Sequence, residues 1–254
     1  MIFKNDIPIL EYDTDKTSVI APTHEKLDLK LPRKAVFAFL GEYVEEFVKR
    51  NGCVRIGEFT SETKDYPLYV VNLGETEILI CQAPVGAAAA TQILDWMIGY
   101  GVREIISSGA CGALVDFEEN VFLVPTRALR DEGTSYHYMP PSRFVEMNVS
   151  ALQAIKTALY EHGLSYREVT TWSTDGFYRE TAEKVAYRKA EGCDVVEMEC
   201  SALAACAAFR NVIWGCILYT ADTLADVRNY DERNWGEDSR AAALELCLDA
   251  VIKI

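Results

Sequence analysis

The chain has 254 residues, half of them hydrophobic, with 39 acidic against 25 basic residues and a formal net charge of −14. This length and composition fit one α/β domain with a continuous core, and no linker rich in Pro, Gly or Ser divides it. The acidic surface repels phosphate backbones and anionic lipids, so we expect no binding to nucleic acid or to a membrane.

The N-terminal segment is mixed and acidic, without the pattern of a signal peptide, and no apolar run approaches the roughly 18 residues of a membrane span. We therefore expect a cytoplasmic protein. The eight cysteines form no CxxC pair and mostly lie within apolar segments, which indicates reduced, buried thiols. The three histidines form no HExxH motif, so no metal site is indicated.

In the first half of the chain, short apolar runs lie next to helical patterns. Residues 34–50 follow a proline and end at an Asn-Gly pair, which predicts a helix. Two β-type runs, 68–73 and 77–82, are separated by three residues, and this spacing predicts a hairpin. The Ala-rich stretch 86–101 has an apolar face and predicts a helix.

The second half of the chain continues this alternation. A short strand, 104–108, is predicted to run into a Gly-rich turn at 109–112. We predict further strands at 121–126, 167–172, 194–199 and 211–222, and further helices at 149–163, 180–191, 200–209 and 237–252. Strands that alternate with helices predict a three-layer α/β/α fold, with a mainly parallel mixed sheet flanked by helices. In such folds ligands bind beyond the carboxyl ends of the strands.

Two carboxylates flank a methionine in Glu197-Met198-Glu199, where an apolar strand passes into an Ala-rich helix. Burial of an unpaired carboxylate is costly, and a solvated face would not lie between two valines and ALAACAA. One interpretation is that the acids bind the first backbone amides of the helix. The other is that a carboxylate accepts hydrogen bonds from vicinal sugar hydroxyls, with the methionine as an apolar floor.

The segment CDVVEMECSALAACAAF closely resembles the EMExxAL signature of the nucleoside phosphorylase family. That family includes hexameric bacterial purine nucleoside phosphorylase, uridine phosphorylase and the methylthioadenosine nucleosidases. Three other segments agree with it in order and spacing: PVGAAAA (84–90), SSGACGAL (107–114) and STDGFY (173–178). The resemblance extends from about residue 65 to the C-terminus and implies an enzyme that cleaves the N-glycosidic bond of a nucleoside.

The resemblance also implies roles for single residues. Glu199 is expected to bind the ribose 2′- and 3′-hydroxyls, with Met198 beneath the ribose and Glu197 supporting from the edge. Phe177 is expected to pack on the base, although an ordinary core aromatic is the alternative. Asp222 occupies the position of the acid that protonates the departing base at N7 in the purine enzymes, and a cap of the following turn is its alternative.

The identity of the base stays open. Uridine phosphorylases lack the acid at the position of Asp222, which favours a purine. Arg179 favours the opposite, because it could hold a pyrimidine carbonyl unless it is a solvated side chain at the start of a helix. In either case cleavage passes through a ribosyl cation, which a carboxylate near the sugar stabilises, while an acid at the base assists its departure.

The phosphate site is where the chain departs from the family pattern. Phosphorolytic members have an Arg before the Gly-rich turn, a hydroxyl within it and a GDPxR loop near the N-terminus. The corresponding positions here are Ser107, Ala110 and the loop 22–26. The backbone amides of the turn can still bind an anion; these belong to Gly109, Ala110, Cys111 and Gly112.

Positive charge for phosphate could come from Lys26, or from Arg55 of a neighbouring subunit, since the resemblance implies a homo-oligomer, a hexamer or a dimer. We therefore expect a phosphorylase that binds a nucleoside and phosphate as co-substrate, releases free base and ribose-1-phosphate, and needs no cofactor. A nucleosidase that uses water, with Glu25 as a conceivable base, is the alternative.

Two further alternatives come from other classes of protein. A non-catalytic nucleoside-binding protein would not need both Glu199 and Asp222. A dinucleotide-binding enzyme would need GxGxxG after its first strand, and Gly109-x-x-Gly112 has the wrong spacing. The polar and aromatic loop 131–138 is predicted to line the 5′ end of the nucleoside or a subunit contact, unless it is a plain surface loop.

Overall fold

The computed structural model describes residues 1–254, which form twelve strands and six α-helices. In chain order the elements are β1 (Ile2–Phe3), β2 (Tyr12–Asp13), β3 (Lys34–Ala38), α1 (Glu42–Arg50), β4 (Val54–Thr60), β5 (Asp65–Leu73), β6 (Thr76–Gln82), α2 (Ala87–Gly99), β7 (Glu104–Ala113), β8 (Phe122–Asp131), β9 (Phe144–Glu146), α3 (Val149–Glu161), β10 (Tyr166–Thr174), α4 (Ala182–Ala190), β11 (Val195–Glu197), α5 (Cys200–Arg210), β12 (Ile213–Thr223) and α6 (Arg240–Ile252). None of the helices is both long and apolar enough to cross a lipid bilayer.

Ten of the strands form one mixed sheet in the order β11-β10-β8-β12-β7-β3-β6-β5-β4, with β9 paired to β8. The pairings from β6 through β3 and β7 to β12 are parallel, as are those from β8 through β10 to β11. Antiparallel pairings join β4, β5 and β6, and also β8 with β12. An additional antiparallel pairing of β11 with β7 closes five of the strands into a ring.

Helices cover both faces of the sheet. Side chains of β3 show this division directly, because Ala35 and Phe37 belong to one core cluster and Val36 and Ala38 to another. Alternate residues of a strand point to opposite faces, so the two clusters lie on opposite sides. The first cluster contains α2 and α5, and the second contains α1, α3 and α6. The predicted three-layer α/β/α architecture around a mixed sheet is confirmed.

The predicted helix at 34–50 is wrong in its first part. Residues 34–38 form β3 in the centre of the sheet, and the helix α1 begins only at Glu42. The two are separated by Gly41, whose φ of 59° breaks the strand. A strand buried on both faces is a continuous apolar run, and its hydrophobic pattern does not distinguish it from a buried helix.

The predicted Gly-rich turn at 109–112 is also wrong, because β7 continues without a break to Ala113. The glycines have a packing role instead. A Cβ on Gly109 would lie 3.2 Å from Phe39, and one on Gly112 would lie 3.0 Å from Val196. Glycine inside a strand commonly marks such a close approach. The sequence did not predict β1, β2, β4 or β9, and the other predicted elements are present with boundaries within five residues.

Candidate active site

A cavity of about 200 Å³ lies at the carboxyl ends of β7, β11 and β12. Its walls come from the end of β7 (109–112), from the junction between β11 and α5 (196–200) and from Ala221 and Asp222 in β12. Phe177 and Glu180, which follow β10, complete one side. The cavity therefore occupies the position where open α/β sheets bind their ligands.

The polar character of this cavity is acidic. Four carboxyl side chains line it, whereas no lysine, arginine or histidine is among its lining residues. Most of the remaining lining is apolar, including Phe39, Leu203 and Trp214. Carboxyl groups in such surroundings lose solvation, which disfavours their charged forms.

Glu197 connects the start of α5 to β10 through four hydrogen bonds. Its Oε1 accepts hydrogen bonds from the hydroxyls of Thr171 (3.0 Å) and Ser173 (2.5 Å), and its Oε2 from the N–H groups of Glu199 (2.7 Å) and Cys200 (2.6 Å). Burial raises the pKa of Glu197, and these hydrogen bonds oppose that shift. Because two carboxylate oxygens offer about four acceptor positions, Glu197 positions the start of α5 and has none left for a sugar.

Glu199 has a different environment, although it is only two residues away. Its Oε1 accepts a hydrogen bond from the N–H of Gly86 at 2.5 Å, and Met198 lines the cavity beside it. Gly86 has φ 103°, a conformation that requires glycine and lets its N–H meet the carboxylate. Burial, followed by the charge of Glu197, raises the pKa of Glu199 to about 8. This carboxyl keeps acceptor capacity in a largely apolar cavity.

Asp222 reaches the same cavity from β12. It is 7% exposed, and its Oδ2 accepts a hydrogen bond from the Tyr230 hydroxyl at 3.0 Å. Burial raises the pKa of Asp222, and the bond from Tyr230 opposes that shift. The missing Cβ of Gly112 leaves space for the carboxyl, since a Cβ there would lie 3.2 Å from Oδ1. A carboxyl whose pKa is raised by burial is a candidate for a general acid.

The side of the cavity near Asp222 is aromatic and acidic. Phe177 lines it and is 44% exposed, which excludes an ordinary core aromatic. Trp235, in the loop after β12, also lines this side of the cavity, and its backbone has a positive φ of 54°. Glu180 also lines this side, and burial followed by the charge of Asp222 raises its pKa to about 7. No feature of the sequence pattern singled out Glu180, although it lies only three residues after Phe177.

Four residues that the sequence offered as candidates lie outside the cavity of this chain. Arg179 and Lys26 are exposed and do not line it. Arg55 is exposed on β4 and pairs with Glu58. Glu25 accepts a hydrogen bond from Trp96 Nε1 at 3.0 Å in a different groove. In a single chain, therefore, no basic side chain lines the cavity that contains Glu199 and Asp222. Glu25 does not line it either.

The loop 131–138, which was predicted to line the 5′ end of the nucleoside or a subunit contact, does not line this cavity. Its His137 and Tyr138 line a separate groove together with the N-terminal segment 15–24. Tyr138 donates to Asp95 at 3.0 Å, and Asp95 in turn pairs with Arg210 at 2.6 Å. Nowhere in the chain do three or more His, Cys, Asp or Glu side chains form a group that could hold a metal ion.

Comparison with known proteins gives one family. The sequence model described as the phosphorylase superfamily matches residues 33–253. A guanosine phosphorylase of Halorubrum lacusprofundi is 26% identical over 161 residues, which cover 63% of this chain and 67% of that protein. A uridine phosphorylase of Haemophilus influenzae is 24% identical over 122 residues, 48% of each chain.

Solved structures share the fold at lower identity. A uridine phosphorylase from Vibrio fischeri superposes with a TM-score of 0.77 and 21% identity, covering 89% of this chain and 95% of its own. An AMP nucleosidase from Bacteroides thetaiotaomicron superposes with a TM-score of 0.71 and 22% identity, covering 89% of each chain. Phosphorolytic and hydrolytic proteins are thus both among the structures that this chain resembles.

Proposed function

The chain belongs to the phosphorylase superfamily, and from the geometry of its cavity we propose that it cleaves the N-glycosidic bond of a nucleoside with water as the acceptor. The observation that carries the proposal is the meeting of Glu199 and Asp222 in one cavity, from the β11–α5 junction and from β12. Glu199 binds the ribose hydroxyls and stabilises the ribosyl cation, with Met198 under the ring. Asp222 protonates the departing base, which Phe177 contacts.

The charge of the cavity supports water rather than phosphate. Four carboxyl groups and no basic side chain line it, and an inorganic phosphate anion in such surroundings lacks a compensating cation. The segment 109–112 belongs to a strand, so the turn of free amides that would bind an anion is absent from it. Water carries no charge and needs neither feature. When its oxygen bonds to C1′ it releases one proton to solvent, which balances the proton that Asp222 gives to the base.

Phosphorolysis is the second candidate. The guanosine and uridine phosphorylases among its relatives favour it. It requires a cation from outside the cavity of one chain, and Arg55 or Lys26 of a second copy are the candidates. In that case inorganic phosphate is a co-substrate, and ribose-1-phosphate is a product.

The two candidates differ in their sugar product. Purified protein is incubated with a panel of purine and pyrimidine nucleosides, with and without inorganic phosphate, and free base, free ribose and ribose-1-phosphate are measured. We expect free ribose at the same rate under both conditions. Ribose-1-phosphate formed only with phosphate would replace hydrolysis by phosphorolysis, and nucleoside binding without turnover would indicate a non-catalytic protein.

Tyr230 provides a prediction about pH. Its hydroxyl hydrogen bond to Asp222 favours the charged carboxylate, so Tyr230→Phe raises the pKa of Asp222 further. The acid then keeps its proton to higher pH, and the alkaline limb of the pH profile of kcat/KM moves to higher pH. Tyr160→Phe, at a residue of α3 that is 81% exposed, serves as the control. A limb that stays in place or moves to lower pH would contradict this role.

A further inference from the structure

Glu180 lies where two cavities meet. The cavity of the candidate site adjoins an outer cavity of about 480 Å³, and both are lined by Phe177, Glu180, Asp222 and Trp235. Phe177 and Asp222 are the groups that we assign to the base. Glu180 therefore stands beside Asp222 at the edge of the base that faces the outer cavity.

The carboxyl group of Glu180 has no partner within the chain. It makes no hydrogen bond and no ion pair, although it is only partly exposed, and Lys184 in the first turn of α4 pairs with Asp131 at 2.7 Å instead. Burial and the neighbouring charge of Asp222 raise the pKa of Glu180 to about 7. A partly buried carboxyl without a protein partner is incompletely solvated, and a ligand donor would supply the missing hydrogen bond.

The chemistry of purines identifies such a donor. Next to N7 on the same edge, adenine presents an amino group, which donates, whereas 6-oxopurines present a carbonyl oxygen, which accepts. Above pH 7 the carboxyl of Glu180 is mostly ionised, and an ionised carboxylate only accepts hydrogen bonds. If Asp222 donates its proton to N7, a carboxylate beside it meets a donor in adenine and an acceptor in hypoxanthine or guanine.

We propose that Glu180 determines base specificity by accepting a hydrogen bond from the 6-amino group, so that 6-aminopurine nucleosides are the preferred substrates. This inference rests on the proposed function, because it uses the base position defined by Phe177 and Asp222. It also replaces the role in base binding that the sequence suggested for Arg179. That side chain, a donor for a carbonyl, lies outside the cavity, and the acceptor next to it in the chain lies inside.

Adenosine and inosine test the proposal because they differ only in the group at position 6 of the base and in the proton on the neighbouring N1. At pH 8, where Glu180 is mostly ionised, we expect kcat/KM for adenosine to exceed that for inosine by at least about tenfold, since mispaired polar groups in a site are strongly rejected. Glu180→Gln keeps the shape but adds an N–H₂ donor, so the ratio should fall to near one, mainly by a gain for inosine. Glu183→Gln, at an exposed neighbour, should leave the ratio unchanged.

Binding of the free bases provides a readout that does not need turnover. The Kd of adenine should be at least about tenfold lower than that of hypoxanthine in the wild type, and Glu180→Gln should remove the difference. If the wild type prefers the 6-oxo compounds, or if Glu180→Gln leaves both ratios unchanged, the proposal for Glu180 is overturned. If adenine is preferred through Glu180 but no nucleoside is cleaved, recognition by Glu180 stands and the proposed reaction fails.

Discussion

Replacement of Glu199 by alanine is expected to lower kcat/KM for the nucleoside substrate by at least about 100-fold. The carboxyl group is the one at the β11–α5 junction that retains acceptor capacity, because Glu197 already accepts four hydrogen bonds. Its removal deprives the ribose hydroxyls of an acceptor and, in the protein molecules in which this carboxyl is ionised, deprives the ribosyl cation of a nearby negative charge. Glu146→Ala, on the exposed face of β9, is the matched control and should retain full activity.

Replacement of Glu199 by glutamine should raise the stability of the fold while it lowers activity. The pKa of Glu199 is raised from 4.5 to about 8, so the folded state holds the proton more tightly than the unfolded chain. Between these values the contribution of Glu199 to the free energy of unfolding decreases as pH rises. Glu199→Gln should therefore raise Tm at pH 8 by about 2 °C or more and change it little at pH 5.

The combination of the two results separates catalysis from folding. A variant that unfolds would lose activity and Tm together, whereas Glu199→Gln should lose activity while it gains Tm. Full turnover by Glu199→Ala would show that the sugar does not bind at this junction, even if the fold were intact.

Replacement of Asp222 by asparagine should lower kcat/KM for purine nucleosides by about 10²–10⁴-fold, the usual contribution of a general acid. Asparagine keeps the shape of the side chain but has no acidic proton to give to N7. Pyrimidine nucleosides have no N7 and should lose much less. Asp238→Asn, at an exposed residue outside the cavity, is the control.

A substrate with a stable anionic leaving group tests the same role independently. A nitrophenyl riboside needs no proton on its departing group, so Asp222→Asn should cleave it at nearly the wild-type rate. Equal losses for this riboside and for purine nucleosides would indicate that Asp222 orders the loop after β12 instead of protonating the base. Retention of wild-type kcat/KM for all substrates would remove Asp222 from the reaction altogether.

The position of the candidate site was predictable from the sequence. Which of its carboxyl groups is occupied by protein donors, and which can bind a ligand, was not. The apolar flanks of Glu197-Met198-Glu199 indicated a buried junction, and the structure places all three residues in the cavity wall. The donors that occupy Glu197 are the hydroxyls of Thr171 and Ser173, 26 and 24 residues away. Local spacing contains no information about such partners.

Two predictions, the helix over β3 and the turn at 109–112, were wrong for the same physical reason. In both, the contacts that decide the structure come from residues distant in the sequence. The run that contains β3 looks helical because both faces of a central strand are apolar, and only its pairing with β6 and β7 decides between strand and helix. The glycines at 109 and 112 look like a turn, although Phe39 and Val196 approach them from other parts of the chain. Glu180 was missed because the choice between Arg179 and Glu180 depends on the turn at 177–179.

The affinity for a mimic of the ribosyl cation tests the central claim most directly. In such an analogue a pyrrolidine ring with a protonated nitrogen replaces the ribose. We predict that the wild type binds it at least about 100-fold more tightly than the corresponding nucleoside, and that Glu199→Gln loses most of this advantage. The same advantage in both proteins, or none in the wild type, would contradict a reaction in which Glu199 stabilises a cationic sugar.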